Sequence, residues 1–147
     1  MNISTSERAS IQPFLKKLCI PMAGSHKGQN GRVLIIGGSS LFHAASIWPA
    51  EIASHFVDIV HYSSTLENNE IFTSLKKIFR NGIAIPHASI PDYVREDNAI
   101  LIGPGMVRSE KPADGSAKTL DYSDILKISD EGLFGRYLTQ YLIEHFP

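Results

Sequence analysis

Two apolar runs that each end in glycine constrain the fold of this chain more than any other feature. Val33–Ser40 reads VLIIGGSS, and Leu101–Gly105 reads LIGPG. The unbroken apolar run Val33–Ile36 is typical of a strand that is covered on both faces, as in a parallel sheet. Glycine leaves bare backbone at the strand end, where a polar ligand can approach. Because ligands of open α/β sheets bind beyond the carboxyl ends of the strands, the two runs predict one shared crevice.

The remaining pattern alternates between helical and extended segments. After a leading helix, the order is β-α-β-α-β-turn-β, which favours right-handed crossovers onto a mainly parallel sheet with helices on both faces. The predicted elements are helix Ser4–Leu18, strand Val33–Ile36, helix Phe42–His55, strand Phe56–Tyr62, helix Glu67–Phe79, strand Gly82–Ile85, helical turn Ile90–Val94, strand Ala99–Ile102 and helix Asp130–Phe146.

Composition excludes several functional classes. The 147 residues are 43% hydrophobic, which suits one globular unit over residues 1–147. Fourteen basic and fifteen acidic side chains are scattered along the chain, so we expect no nucleic-acid surface. Cys19 is the single cysteine, which excludes an internal disulfide. With no signal-peptide or membrane-spanning pattern, we expect a soluble cytoplasmic protein.

The sequence also predicts the structure of two segments in the second half of the chain. Residues 106–128 are mostly polar, with few apolar anchors, and we expect a mobile loop or lid there. The helix Asp130–Phe146 carries one apolar stripe that needs a sheet to cover, and the next element expected is another strand. We therefore expect this chain to form an incomplete α/β domain.

The glycine-rich segment Gly37-Gly38-Ser39-Ser40 has two interpretations. Backbone N–H groups and hydroxyls at a strand-to-helix turn can bind an anion such as a phosphate. Alternatively, the glycines permit a tight turn and a serine caps the helix. The segment matches neither a Walker loop nor Gly-x-Gly-x-x-Gly. Lys27 can donate to a phosphate or carboxylate, and His43 is expected to face the crevice; the other histidines are interpreted as surface or packing residues, without zinc-ligand spacing.

Taken together, His26–Ser39 (HKGQNGRVLIIGGS) and Ile100–Gly105 (ILIGPG) resemble the ADP/ATP-dependent NAD(P)H-hydrate dehydratases. This family has the three-layer ribokinase-like fold and was long labelled as carbohydrate kinases. The resemblance spans most of Ser25–Gly105 and implies the amino-terminal half of such a domain. It favours the ligand-binding interpretation of the glycine-rich turn.

The resemblance implies cofactor repair, in which ADP or ATP with Mg²⁺ drives the dehydration of hydrated NADH or NADPH, called NAD(P)HX. The family's Gly-Thr-Gly-Asp loop, which bears the catalytic aspartate, has no match here, so no catalytic residue and no metal ligand is assigned. The isolated chain is expected to be inactive, and relatives suggest a homo-oligomer. By motif matching or by their place at the strand ends, the candidate substrate-binding residues are Ala45, Gly105, Gly103, Gly38, Ser39, His43 and Lys27.

Two alternatives remain open from the sequence. The chain can be a non-catalytic module that binds a dinucleotide, or a small-molecule kinase of the same fold. The sequence does not distinguish NADHX from NADPHX as the ligand, or ADP from ATP as the donor.

Overall fold

A computed structural model describes residues 7–17, 20–78, 80–109 and 120–146 of the chain. Its centre is a four-stranded, all-parallel sheet with strand order β3-β2-β1-β4. In the register, Ile35 lies opposite Tyr62 on one side and Leu101 on the other. The strands are β1 (Arg32–Ile36), β2 (Ile59–Ser63), β3 (Gly82–Ala84) and β4 (Ala99–Ile102). The predicted α/β class and parallel sheet are confirmed.

The helices cover both faces of this sheet and make a three-layer arrangement. They are α1 (Arg8–Leu15), α2 (Ala44–Ala53), α3 (Leu66–Ser74), α4 (Ile90–Glu96), α5 (Tyr122–Ile125) and α6 (Glu131–His145), with single 3₁₀ turns at Leu75–Lys77 and His87–Ser89. None of the helices in the described ranges combines the length and the apolar character that a membrane span requires.

The two apolar cores meet at β1. Leu34 and Ile36 point to the face covered by α4, α5 and α6, whereas Ile35 points to the face covered by α2 and α3. All three side chains are fully buried. Because successive side chains of a strand point to opposite faces, only an apolar residue at every position serves a central strand between two helix layers.

Several element boundaries differ from the predicted ones. The strand expected from Phe56 begins at Ile59, because Phe56 is 77% exposed and Asp58 instead anchors a loop described below. Helix α2 begins at Ala44 rather than Phe42, since the turn after β1 extends to His43. Of the predicted helix Ser4–Leu18, the structure contains Arg8–Leu15, and residues 4–6 and 18 lie outside the described ranges.

The segment predicted as a loop over 106–128 contains one helix. Residues 110–119 lie outside the described ranges, but Tyr122–Ile125 form α5. Ile125 is buried in the core, and the Tyr122 hydroxyl donates a hydrogen bond to the backbone oxygen of His87. Two such anchors among polar neighbours are enough to hold one helical turn against the sheet. Mobility of the rest of this segment stays a prediction.

A buried contact between a histidine and an aspartate ties β2 to the end of α4. His61 Nδ1 lies 2.8 Å from Asp97 Oδ2, with side chains 4% and 0% exposed. Burial raises the pKa of Asp97, and its hydrogen bond with His61 acts in the opposite direction. Because loss of one partner would leave the other polar group buried and unpaired, this contact holds α4 against the sheet.

Candidate functional site

The turns after β1 and β4 lie side by side at the carboxyl edge of the sheet. The Gly38 N–H donates to the Pro104 carbonyl oxygen at 2.7 Å, and the Gly103 N–H donates to the Ile36 oxygen at 3.0 Å. The Gly37 N–H donates to the Ser63 oxygen of β2 at 3.1 Å. The two glycine-ended runs therefore reach one edge and bond to each other, as the sequence predicts.

The contact between these turns depends on the absence of side chains. A Cβ at Gly37 would lie 2.3 Å from the Pro104 oxygen, and one at Gly105 would lie 2.9 Å from Ala45 Cβ. Gly38 has φ +76, and a Cβ there would lie 2.4 Å from Asn68 Nδ2. Because left-handed backbone and atoms this close both exclude larger residues, glycine is required for the turns to meet.

The buried side-chain amide of Asn68 stabilises the turn after β1 through hydrogen bonds. Asn68 Nδ2 donates to the Ser39 oxygen at 3.1 Å and to Ser64 Oγ at 2.9 Å. Its Oδ1 pairs with His43 Nδ1, and Asn68 itself is fully buried. Asn68 lies in the first turn of α3, whose N-cap is Thr65. Its amide fixes the shape of the glycine-rich turn.

Ser39 and His43, two candidate ligand-binding residues, are engaged inside the protein. Ser39 is 1% exposed, and its Oγ accepts a hydrogen bond from the Phe42 N–H at 3.1 Å. The Ser39 hydroxyl thus closes the turn, but α2 begins at Ala44 with His43 as its N-cap and no side-chain hydrogen bond at the cap, so neither serine caps this helix as expected. His43 is half-buried and bonded to Asn68, so in this structure both side chains shape the turn.

A cavity of about 250 Å³ opens beside the first turn. Its walls are mostly apolar, with Ile36 of β1 and Phe134 of α6 among them. The polar groups that line it come from four places in the chain: Gly38 after β1, Thr65 after β2, His87 after β3, and Ser129 and Glu131 before and in α6. Small pockets with apolar walls and few polar groups are the usual form of ligand sites.

A larger open groove of about 860 Å³ adjoins this cavity. Met106 lines both spaces, and Gly103 lies in the groove at the end of β4. Two guanidinium groups, those of Arg108 and Arg136, and the carboxylate of Glu144 line the groove. We call the cavity and the groove, which share Met106, the crevice; the cavity is its apolar end and the groove is its charged side.

His87 is the titratable ring of the cavity. Its Nδ1 lies 2.9 Å from Ser63 Oγ, and its ring stacks on Phe134 with 4.7 Å between centroids. Burial lowers the pKa of His87 to about 4, so the ring is neutral at pH 7. The sequence predicts only a surface or packing role for this histidine. Its place directly after β3, at the same edge as the glycine turns, is the signal that could have found it.

The carboxylate of Glu131 accepts hydrogen bonds from Ser40, the last residue of the glycine-rich segment. The Ser40 N–H donates to Glu131 Oε1 at 2.9 Å, and Ser40 Oγ donates to Oε2 at 3.2 Å. The interaction joins the turn after β1 to the first residue of α6. The two donors of Ser40, which one interpretation assigned to a phosphate, are thus bound by the protein's own carboxylate, and the N–H groups of Gly37 and Gly38 bond backbone oxygens.

Lys27 lies at the opposite edge of the sheet from the crevice. It lines a separate hollow with Asn30 and Asp58, before β1 and β2 begin. The Asp58 carboxylate accepts from the Gly28 N–H at 2.8 Å and from the Asn30 N–H at 3.0 Å. These bonds with the loop lower the pKa of Asp58. The structure therefore brings Gly38, Gly103, Gly105 and Ala45 together and leaves Lys27 apart.

No metal site is evident in the described ranges, where no group of three or more His, Cys, Asp or Glu side chains could hold an ion.

A comparison with known proteins adds one finding. Forty-six residues of the chain are 52% identical to the "Bifunctional NAD(P)H-hydrate repair enzyme Nnr" of Methanocaldococcus jannaschii. The match covers 31% of this chain and 9% of that protein. No model of a known protein family matches the sequence.

We predict that three Gly→Ala substitutions will rank by their surroundings. Gly38→Ala meets both a left-handed φ and a close amide, and we expect a loss of more than about 3 kcal/mol in the free energy of unfolding. At Gly103 there is space for a Cβ, but φ is +118, so we expect Gly103→Ala to lower the free energy of unfolding by about 1 kcal/mol. The control Gly24→Ala has open space and should change stability by less than about 1 kcal/mol. Urea titration measures all three, and equal losses would contradict the account.

His87 should make stability depend on pH. Because the pKa of His87 is lowered in the folded protein, the contribution of its neutral ring to stability is fully present above pH 6.5. This contribution is lost as the pH falls towards about 4. We expect the free energy of unfolding to fall by about 3 kcal/mol over this interval because of this group. His87→Phe keeps an aromatic ring against Phe134 and should remove that part of the dependence. Identical profiles for the variant and the parent would refute the assignment.

Proposed function

We propose that this chain binds hydrated NADH or NADPH in the crevice and serves in the repair of nicotinamide cofactors. The observation that carries the proposal is the meeting of the two glycine turns beside an elongated crevice. The segments that build these turns are those whose sequence resembles the NAD(P)H-hydrate dehydratases. The 46-residue match to an NAD(P)H-hydrate repair enzyme supports the same assignment.

The cavity suits the ring end of such a ligand. Its apolar walls can contact the faces of a ring, and a volume of about 250 Å³ limits the occupant to a small group. The neutral His87 and the hydroxyl of Ser129 provide polar contacts without positive charge. In our proposal these groups orient the carboxamide and the ring hydroxyl of NAD(P)HX.

The adjoining groove suits the phosphate-bearing part of the ligand. Arg108 is exposed there, next to the end of β4. A guanidinium recognises phosphate oxygens with two parallel hydrogen bonds. Because Met106 borders both spaces, a ligand can extend from the cavity into the groove.

The ADP or ATP and Mg²⁺ that the resemblance implies do not fit the cavity. No lysine or arginine lines it, and its single carboxylate, Glu131, already accepts from Ser40. Mg²⁺ and nucleotide phosphates require several oxygen ligands and positive charge. We therefore derive no phosphoryl-transfer step from this cavity, and we propose that the chain alone binds NAD(P)HX without turnover.

Calorimetric titration with NADPHX and NADPH tests the proposal. We expect binding to the parent chain and about fivefold weaker binding to Arg108→Ala, since an exposed charge-assisted contact contributes about 1 kcal/mol. Arg80→Ala is the matched control, because this exposed arginine precedes β3 at the other edge of the sheet.

The alternatives give different results in the same series. No binding of either dinucleotide to the parent chain would refute the proposal, and an equal effect of the two arginine variants would refute the placement of the phosphates. A phosphorylated product from a panel of sugars and hydroxymethylpyrimidine with ATP would favour a small-molecule kinase. Turnover of NADPHX by the chain alone would contradict the prediction of binding without catalysis.

A further inference from the structure

His87 is held in one orientation by contacts on three sides. Its Nδ1 lies 2.9 Å from the Oγ of Ser63, the last residue of β2. Its ring stacks on Phe134 of α6, with 4.7 Å between the centroids and 29° between the planes. The Tyr122 hydroxyl donates to the backbone oxygen of His87. Since the backbone, one ring edge and one ring face each have a partner, the fold sets the orientation of the imidazole.

The hydroxyl of Ser63 determines which ring nitrogen of His87 carries the proton. Ser63 is fully buried, and within the described residues its Oγ bonds to His87 Nδ1 alone. A serine O–H is a donor, and a buried donor without an acceptor destabilises the fold. A ring nitrogen that accepts a hydrogen bond carries no hydrogen, so the proton of the neutral imidazole lies on Nε2. Burial lowers the pKa of His87 to about 4, which keeps the ring neutral at pH 7.

The Nε2–H group of His87 is open to the cavity. Nε2 has no hydrogen-bond partner within the part of the chain that the structure describes. In that part, the one fully buried side-chain nitrogen or oxygen without a partner is Arg32 Nε, so His87 Nε2 is accessible. The space that His87 lines is the cavity of about 250 Å³ beside the glycine-rich turn. The second ring nitrogen is therefore available to a bound ligand.

The polar groups of the cavity differ in what they can recognise. Of the cavity-lining side chains in the described ranges, His87 alone carries a nitrogen. The Glu131 carboxylate only accepts hydrogen bonds, and the hydroxyls of Thr65 and Ser129 can donate or accept. A carbonyl oxygen only accepts, and it is costly to bury in an apolar space without a donor. A fixed N–H makes His87 the group that selects such an oxygen.

We propose that Ser63 is a positioning residue, which holds His87 as an Nε2–H donor for the carbonyl oxygen of the ligand's carboxamide. The ligand part of this inference rests on the proposed function, whereas the tautomer of His87 is a property of the free chain. Ser63 also contacts the glycine-rich turn, because its backbone oxygen accepts from the Gly37 N–H at 3.1 Å. One buried serine thus fixes both a polar group of the cavity and the turn beside it.

Nitrogen-15 NMR of the imidazole rings in the free, labelled chain at pH 7 tests the tautomer. Protonated and unprotonated ring nitrogens resonate at well separated frequencies, and His87→Phe identifies the signals of His87 among the six histidines. We expect the proton on Nε2 in the parent chain. Ser63→Ala should shift the Nδ1 resonance, because Nδ1 loses its hydrogen-bond donor.

Ser46→Ala is the matched control. Ser46 is as buried as Ser63, but its Oγ lies 2.6 Å from the Tyr62 hydroxyl, on the sheet face covered by α2 and α3. Its loss should leave the His87 signals unchanged. A proton on Nδ1 of His87 in the parent would overturn the proposal, and this spectrum decides the tautomer even if Ser63→Ala does not fold. A folded Ser63→Ala variant with the parent's Nδ1 resonance would also overturn it.

Calorimetric titration tests the carbonyl group of the ligand. The parent should bind NADPHX about fivefold more tightly than the analogue in which sulfur replaces the carboxamide oxygen, because a thiocarbonyl is the weaker acceptor. Ser63→Ala should lose most of this preference, and Ser46→Ala should keep it. Equal affinity of the parent for both compounds would overturn the ligand part. Binding of neither compound would refute the proposed function and the carbonyl assignment with it, while the NMR result still decides the role of Ser63.

Discussion

The hydrogen bond from the Gly38 N–H to the Pro104 oxygen is the contact on which the rest of the site depends. At 2.7 Å it joins the ends of β1 and β4, and it forms only because Gly37, Gly38 and Gly105 lack side chains. The buried Asn68 then fixes the same turn from the other side. With both turns held, the cavity and the groove open on either side of Met106, so the binding surface follows from local backbone geometry.

The electrostatic character of the crevice decides what it can bind. Burial keeps His87 neutral, and the Glu131 carboxylate takes the donors of Ser40, so the cavity offers little attraction to an anion. The guanidinium groups of Arg108 and Arg136 lie in the groove, which the carboxylate of Glu144 also lines. A ligand with an uncharged ring at one end and phosphates further along matches this division. Such a ligand is what the proposed repair function requires.

The fold could be predicted from sequence because its signals are local. A run such as Val33–Ile36 allows few alternatives to a doubly covered strand, and glycine marked the ends of β1 and β4. The roles of the side chains depend instead on residues that are far apart in the sequence. Asn68 donates to the Ser39 backbone oxygen across 29 residues, Glu131 accepts from Ser40 across 91 residues, and Lys27 lies with its loop at the other edge of the sheet. Only the packed chain brings such groups together or separates them, and the pattern along the sequence does not contain that information.

The proposed binding of NAD(P)HX requires that the turns after β1 and β4 form one site. The direct measurement is the perturbation of backbone amide resonances in the ¹⁵N-labelled chain during titration with NADPHX. We expect the amide resonances of Gly38, Gly103 and Met106 to shift with one common dissociation constant. The resonances of Gly28 and Asn30, at the opposite edge of the sheet, should stay unchanged. Perturbations confined to the loop that carries Lys27, with Gly38 and Gly103 silent, would contradict it.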